Sequence, residues 1–171
     1  MRFADGPTTE VDVFVDAPPE QVWPLVSEIT TPARFGTELQ TAIWQGVDGL
    51  DGPPPCAGAR FTGHNFHAAR GEWQTTNVVV ACEPGRVFAW SMGDDPAFPA
   101  ATWRFELTPE GGGTRLRQWA RMGPGPSGIT AVIDQMPDKE ERIVARRLEE
   151  WQANMAATVA GIKSLAEGVA E

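Results

Sequence analysis

The chain has 171 residues, a formal net charge of −9, seven Trp, eight Phe and no Tyr. That length fits one domain, large enough for a core with a cavity inside it. The acidic balance, with no basic stripe to offset it, argues against nucleic-acid and anionic-membrane binding.

No apolar run reaches transmembrane length, so no membrane insertion is expected, and the opening MRFADGPTTE lacks the apolar core of a signal peptide. Cys56 and Cys82 have neither CxxC nor metal spacing. They read as reduced thiols in a cytoplasmic protein.

In chain order, the run VDVFVDAPPEQVWPLVSE over residues 11–28 comes first. Val11, Val13 and Val15 alternate with Asp12 and Asp16, which predicts a half-buried strand. Pro18 and Pro19 stop that strand, since proline donates no ladder hydrogen bond, and they suit the first turn of a helix. Val22, Trp23, Val26 and Ile29 then recur at helical spacing, with Pro24 expected to kink the helix. Six further strands are predicted, at about 39–46, 58–67, 71–81, 86–92, 101–109 and 113–122. They are punctuated by the proline-rich piece at 49–55, by Glu83-Pro84-Gly85 and by Glu110-Gly111-Gly112-Gly113. The last two suit antiparallel hairpins.

After a loop from Gly123, the residues Ile129, Val132, Ile133 and Met136 predict a short amphipathic helix. A long helix is predicted over about 138–166. Val144, Leu148, Trp151, Met155, Val159, Ile162 and Leu165 trace one apolar stripe along it, interrupted among good helix formers only by Gly161. At about 1.5 Å per residue this helix runs roughly 40 Å, enough to cross a small domain. Asp138 reads as its N-cap with Glu141 three residues on, and Gly168 as its stop. Arg142, Arg146 and Glu150 read as a solvated face.

The opening segment, the GARFTGHN and EPGRVFAWSM strands, the ATWRFELTPEGGGTRLRQW hairpin and the long final helix together resemble the START/Bet v1-like (SRPBCC) superfamily. Within it, the chain is most similar to bacterial polyketide cyclase/dehydrase-like proteins. The resemblance runs from about residue 8 to 166. It implies a single α+β domain of helix-grip type, in β-α-α-β6-α order, with a seven-stranded curved antiparallel sheet wrapped around the C-terminal helix over an apolar pocket. The family includes aromatase/cyclases and lipid or quinone carriers, so the fold alone does not assign an activity.

Strand parity states which residues face such a pocket, because alternate residues share a face. It places Ala42, Trp44, Phe61, Gly63, Asn65, Trp73, Thr75, Asn77, Val79, Phe88, Trp90, Met92, Trp103, Phe105, Leu107, Thr114, Leu116, Gln118 and Ala120 inside. Arg60, His64, Arg104, Glu106, Arg115, Arg117 and Arg121 go outside. Any single Trp is adequately explained by core packing. As a set, Trp44, Trp73, Trp90, Trp103 and, from the helix, Trp151 are expected to line a ligand site. Asn65, Thr75, Asn77 and Gln118 are inward polar groups that need partners. They favour a carbonyl- or hydroxyl-bearing aromatic or polyketide-like ligand. No charged residue falls on the inner strand face, and the candidates for acid–base work are His67, Arg70, Arg147 and Asn154. Arg147→Ala is accordingly expected to matter only to an enzyme. His64 and His67 differ by an odd number and make poor joint metal ligands. A β-bulge in their strand would swing Arg60 and His64 inward.

The expected function is binding of a hydrophobic small molecule, as carrier or sequestering protein. The ligand-binding residues are Trp44, Asn65, Trp73, Thr75, Asn77, Trp90, Trp103, Gln118, Arg147 and Trp151, and the protein is expected to act without cofactor or metal, as monomer or homodimer. The alternative is a polyketide cyclase/dehydratase-type enzyme that folds and orients its substrate.

Overall fold

A seven-stranded antiparallel sheet carries the molecule, with neighbours in the order β1-β7-β6-β5-β4-β3-β2. The computed structural model describes residues 1–46 and 57–168. Cys56 and the proline-rich segment at 49–55 lie outside the described residues. The elements are β1 (Thr8–Val15), α1 (Pro19–Ser27), α2 (Thr31–Phe35), β2 (Leu39–Trp44), β3 (Arg60–His67), β4 (Gly71–Glu83), β5 (Val87–Met92), β6 (Ala101–Glu110), β7 (Gly113–Met122), α3 (Gly128–Gln135) and α4 (Glu140–Ala166). The helices α1 and α2 carry the chain from one sheet edge to the other, and hairpins then lay down β2 to β7 in sequence. This is the expected α+β helix-grip architecture, with α3 added ahead of the final helix.

The β6–β7 hairpin shows how local sequence sets the register. Gly111 and Gly112 both take positive φ (54° and 84°), as a two-residue turn matched to strand twist requires. Glu110 therefore pairs with Gly113 and Phe105 with Gln118. The register in turn fixes the faces. Thr114, Leu116, Gln118 and Ala120 are all buried, while Arg115 and Arg117 project to the other side. There Arg115 meets Asp12 and Glu110, and Arg117 bridges Glu10 and Glu106, which also holds Arg104. Register shifts occur between Leu39 and Thr41 in β2 and between Val79 and Ala81 in β4. The β3–β4 pairing runs without a shift from Arg60↔Val78 to His67↔Gly71, so the inward set in β3 stands.

Helix α4 packs on β1, α1 and α2, burying Val144, Leu148, Trp151, Met155, Val159 and Ile162. Gly161 permits the close approach of α2: a Cβ there would lie 2.3 Å from the Phe35 ring. The helix stops at Ala166, with Gly168 left-handed (φ 69°) and its N–H bonded to the Leu165 carbonyl.

Its start differs from the expectation. Asp138 lies in a one-turn 3-10 helix (Pro137–Lys139), and Lys139 is the N-cap, without a side-chain bond. Pro137, with its preset φ, opens the turn early, and Glu141 is taken by the N-terminal ammonium at 2.9 Å. The polar face also differs. Arg146 is solvated, but Glu150 is only 27% exposed, because it turns toward Arg147.

Candidate ligand-binding site

Between the sheet and α4 lies a cavity of about 590 Å³, lined from every strand except β1 among the described strands, and from all four helices or their flanking turns. Asn65, Trp73, Thr75, Asn77, Trp90, Trp103, Gln118, Arg147 and Trp151 all line it. Trp44 does not: it packs edge-on against Phe61, with ring centroids 5.5 Å apart, inside the apolar cluster at the sheet end. Parity gave its face correctly, but Phe61 stands between it and the cavity.

The apolar wall is a connected run of rings. Phe61 lies 6.1 Å from Trp90, Trp90 stacks on Trp103 at 6.3 Å with 16° between planes, and Trp103 meets Trp151 at 4.6 Å. Phe88 and Phe105 also flank Trp90, at 5.8 and 6.1 Å. Such spacings lie in the range of favourable aromatic pairing. The cross-strand register Trp90↔Trp103 brings the two central indoles side by side.

Into this wall are set polar groups with unequal commitments. Asn77, 4% exposed, donates through Nδ2 toward Thr75 Oγ1 (3.1 Å), the Thr75 carbonyl (3.3 Å) and the Phe61 carbonyl (3.4 Å). Asn65 donates weakly to the Gly63 carbonyl at 3.4 Å. Gln118, 3% exposed, makes no side-chain hydrogen bond among the described residues, and its Oε1 is buried without a partner. The indole Nε1 of Trp151 is likewise unpartnered. Leaving such a group unmade costs about 1–3 kcal/mol.

Charge enters the cavity from helices and loops. Glu28, Glu38, Arg70, Asp94 and Arg147 line it. An uncharged interior therefore holds for the strand faces and fails for the site as a whole, because parity reports on strands alone. Arg147 is buried and bidentate on Glu38, both bonds 2.5 Å, and reaches Glu150 at 3.1 Å. Its guanidinium also lies 5.6 Å from the Trp151 ring centroid. Burial works against its charge, but the bonds it donates to the Glu38 and Glu150 carboxylates outweigh that and raise its pKa. Burial likewise opposes charge on Glu150, yet hydrogen bonds from Arg147 and Arg146 hold that carboxyl below the usual range. His67 Nε2 lies 3.8 Å from Glu150. Arg70 sits 5.8 Å from the Trp73 ring centroid, and its pKa is lowered by desolvation and by Arg147.

Arg147 thus ties α4 to the start of β2, which corrects the expectation that its removal would matter only to catalysis. Asn154 is equally committed. Its Oδ1 accepts from the Thr37 N–H at 2.6 Å, and its Nδ2 donates to the Glu150 carbonyl. Sequence reasoning missed Glu38. An arginine on the inner flank of a long helix signals that some carboxylate must meet it, but no periodicity marks which.

A sheet closed over one long helix, with a ring-lined cavity between them, defines a helix-grip protein. The chain belongs to the polyketide cyclase/dehydrase and lipid transport family, whose model matches residues 7–160. A polyketide cyclase-like protein of Corynebacterium glutamicum is 30% identical over 94% of this chain and 91% of its own, with a TM-score of 0.62. An aromatase/cyclase of Streptomyces sp. R1128 shares the fold at 16% identity, over 94% and 93% of the two chains, with a TM-score of 0.63. A di-domain aromatase/cyclase from the BE-7585A biosynthetic pathway matches at 20% identity and a TM-score of 0.65 over 94% of this chain, which spans 50% of that protein. No curated protein matches the chain. Among the described residues no helix is long and apolar enough to cross a membrane.

Proposed function

We propose that the protein binds a hydrophobic, ring-bearing small molecule, aromatic or polyketide-like, in the cavity under α4, and carries or sequesters it. The observation that carries this reading is Gln118, a buried amide without a hydrogen-bond partner among the described residues, in a cavity walled by indole and phenyl rings. A buried polar group left unpaired in a folded chain calls for an explanation, and a bound molecule supplies one. About 590 Å³ is within the usual range for small-molecule pockets. Titration of the purified protein with naphthalene-class aromatics should give saturable tryptophan quenching, because the rings lining the site are Trp90, Trp103 and Trp151. Native mass spectra of the mixture should show one bound molecule. No saturable quenching and no bound mass across such a series would end this reading.

The second reading is a polyketide cyclase/dehydratase-type enzyme. What favours it is the charged end of the cavity, where Arg70, Arg147 and Glu38 sit within reach of a ligand. Orienting a flexible chain can by itself accelerate an intramolecular step. General-base candidates are weak, however. Glu38 is held by two bonds from Arg147, and Glu150 is kept below the ordinary carboxylate range. Holding a ligand asks less of these residues than transforming one.

A further inference from the structure

The amide of Asn77 is oriented by its surroundings. Its nitrogen faces three oxygens, at 3.1, 3.3 and 3.4 Å, two of which are backbone carbonyls that can only accept. Turning the amide over would set its own oxygen against those carbonyls, so the nitrogen stays where it is. That leaves Oδ1, which has no partner among the described residues, as the atom Asn77 offers to the cavity it lines. No described neighbour satisfies it. Its cross-strand partners on the inner face are Phe61 and Met92, whose side chains carry no N–H or O–H. A residue that is 96% buried therefore presents a fixed acceptor to an aromatic-walled space, with no described residue donating to it.

We propose that the Asn77 end of the cavity selects a ligand whose ring carries a hydroxyl, a phenol or an enol, over one that presents a ketone or an ether there. The inference rests on the cavity being a ligand site, and it names the group that site reads. A hydroxyl donates to Oδ1. A carbonyl or ether oxygen would meet it acceptor to acceptor and leave both desolvated. Gln118, on β7, is three strands away from β4, roughly 14 Å along the sheet at about 4.8 Å per strand step. It is thus free to hold a second polar atom of the same molecule.

Calorimetric titration of the wild-type protein with 2-naphthol, 2-methoxynaphthalene and naphthalene tests this. The naphthol should bind about tenfold more tightly than the other two, the effect of one buried hydrogen bond. Equal affinity for all three would overturn the hydroxyl assignment and leave the cavity reading standing. No binding of any of them would remove both. Asn77→Leu should cut the naphthol preference to below about twofold while keeping the affinity for naphthalene. Should that variant keep the tenfold preference, the hydroxyl is held elsewhere and the proposal is wrong. Should Asn77→Leu fail to fold, Gln118→Leu takes its place: a tenfold preference kept in that variant leaves Asn77 as the acceptor, and its loss there would put the hydroxyl at Gln118 and overturn the proposal.

Discussion

Replacing Arg147 with methionine keeps most of the apolar stem and deletes the guanidinium. Two 2.5 Å bonds to Glu38 and one of 3.1 Å to Glu150 go with it. The carboxylates left behind are 18% and 27% exposed, so each recovers part of its hydration. Breaking a fully buried pair costs about 3–5 kcal/mol, and this partial exposure brings the expected loss to about 2–3 kcal/mol at pH 7. For a chain of this size that lowers Tm by about 5–10 °C.

The loss should depend on pH with a definite sign. The Glu150 carboxyl is held low in the folded protein. Its contribution is therefore in place above the unfolded value of about 4.3, and is lost as pH falls through the folded value. The gap between wild type and Arg147→Met should be widest at pH 7 and shrink below about pH 4. Urea unfolding followed by tryptophan fluorescence at pH 7 and 3.5 measures both numbers. A gap under about 0.5 kcal/mol at pH 7, or one that persists undiminished in acid, would refute the account of Arg147 as the tie between α4 and β2.

Gln118→Leu removes an unpartnered buried amide, so stability should stay level or rise by about 1 kcal/mol in chemical denaturation while aromatic ligand binding weakens; a loss above about 1 kcal/mol would mean the amide has a structural partner. Asn77→Leu should differ, costing about 1–2 kcal/mol, because its amide hydrogens bond Phe61 and Thr75. Gly161→Ala should destabilise by about 1–2 kcal/mol despite the better helix former, since the new methyl would lie 2.3 Å from the Phe35 ring. Adding Phe35→Ala should remove the clash, and a thermally neutral single variant would contradict that packing. Asn154→Ala should speed amide hydrogen exchange at Thr37, whose N–H it holds at 2.6 Å, and an unchanged rate there would show that the bond does not restrain the loop.

The fold was legible where physics is local. Valine alternation over 11–15, the proline pair at 18 and 19, the glycines at 111 and 112, and the stripe from Val144 to Ile162 each specify an element by spacing or by backbone preference. Parity then placed Asn77, Gln118, Trp90 and Trp103 on one face, because a hydrogen-bonded ladder leaves no choice once the register is set. The start of α4 was less legible: Pro137 and the N-terminal ammonium, rather than Asp138, decide it. Trp44 shows the limit of face assignment, since an inward residue at the sheet edge can still be screened from the cavity by Phe61.

By itself the sequence determined the periodicities, the turns and the two faces of each strand, all set by residues within a few positions of one another. Only the tertiary structure decided which groups meet across the cavity. Glu38 and Arg147 are 109 residues apart, and nothing local in either announces their pairing. It likewise decided that Asn77 spends its donors on Thr75 and Phe61 while Gln118 spends none. Hydrogen-bond partners are chosen by distance in space, and strand parity carries no record of them.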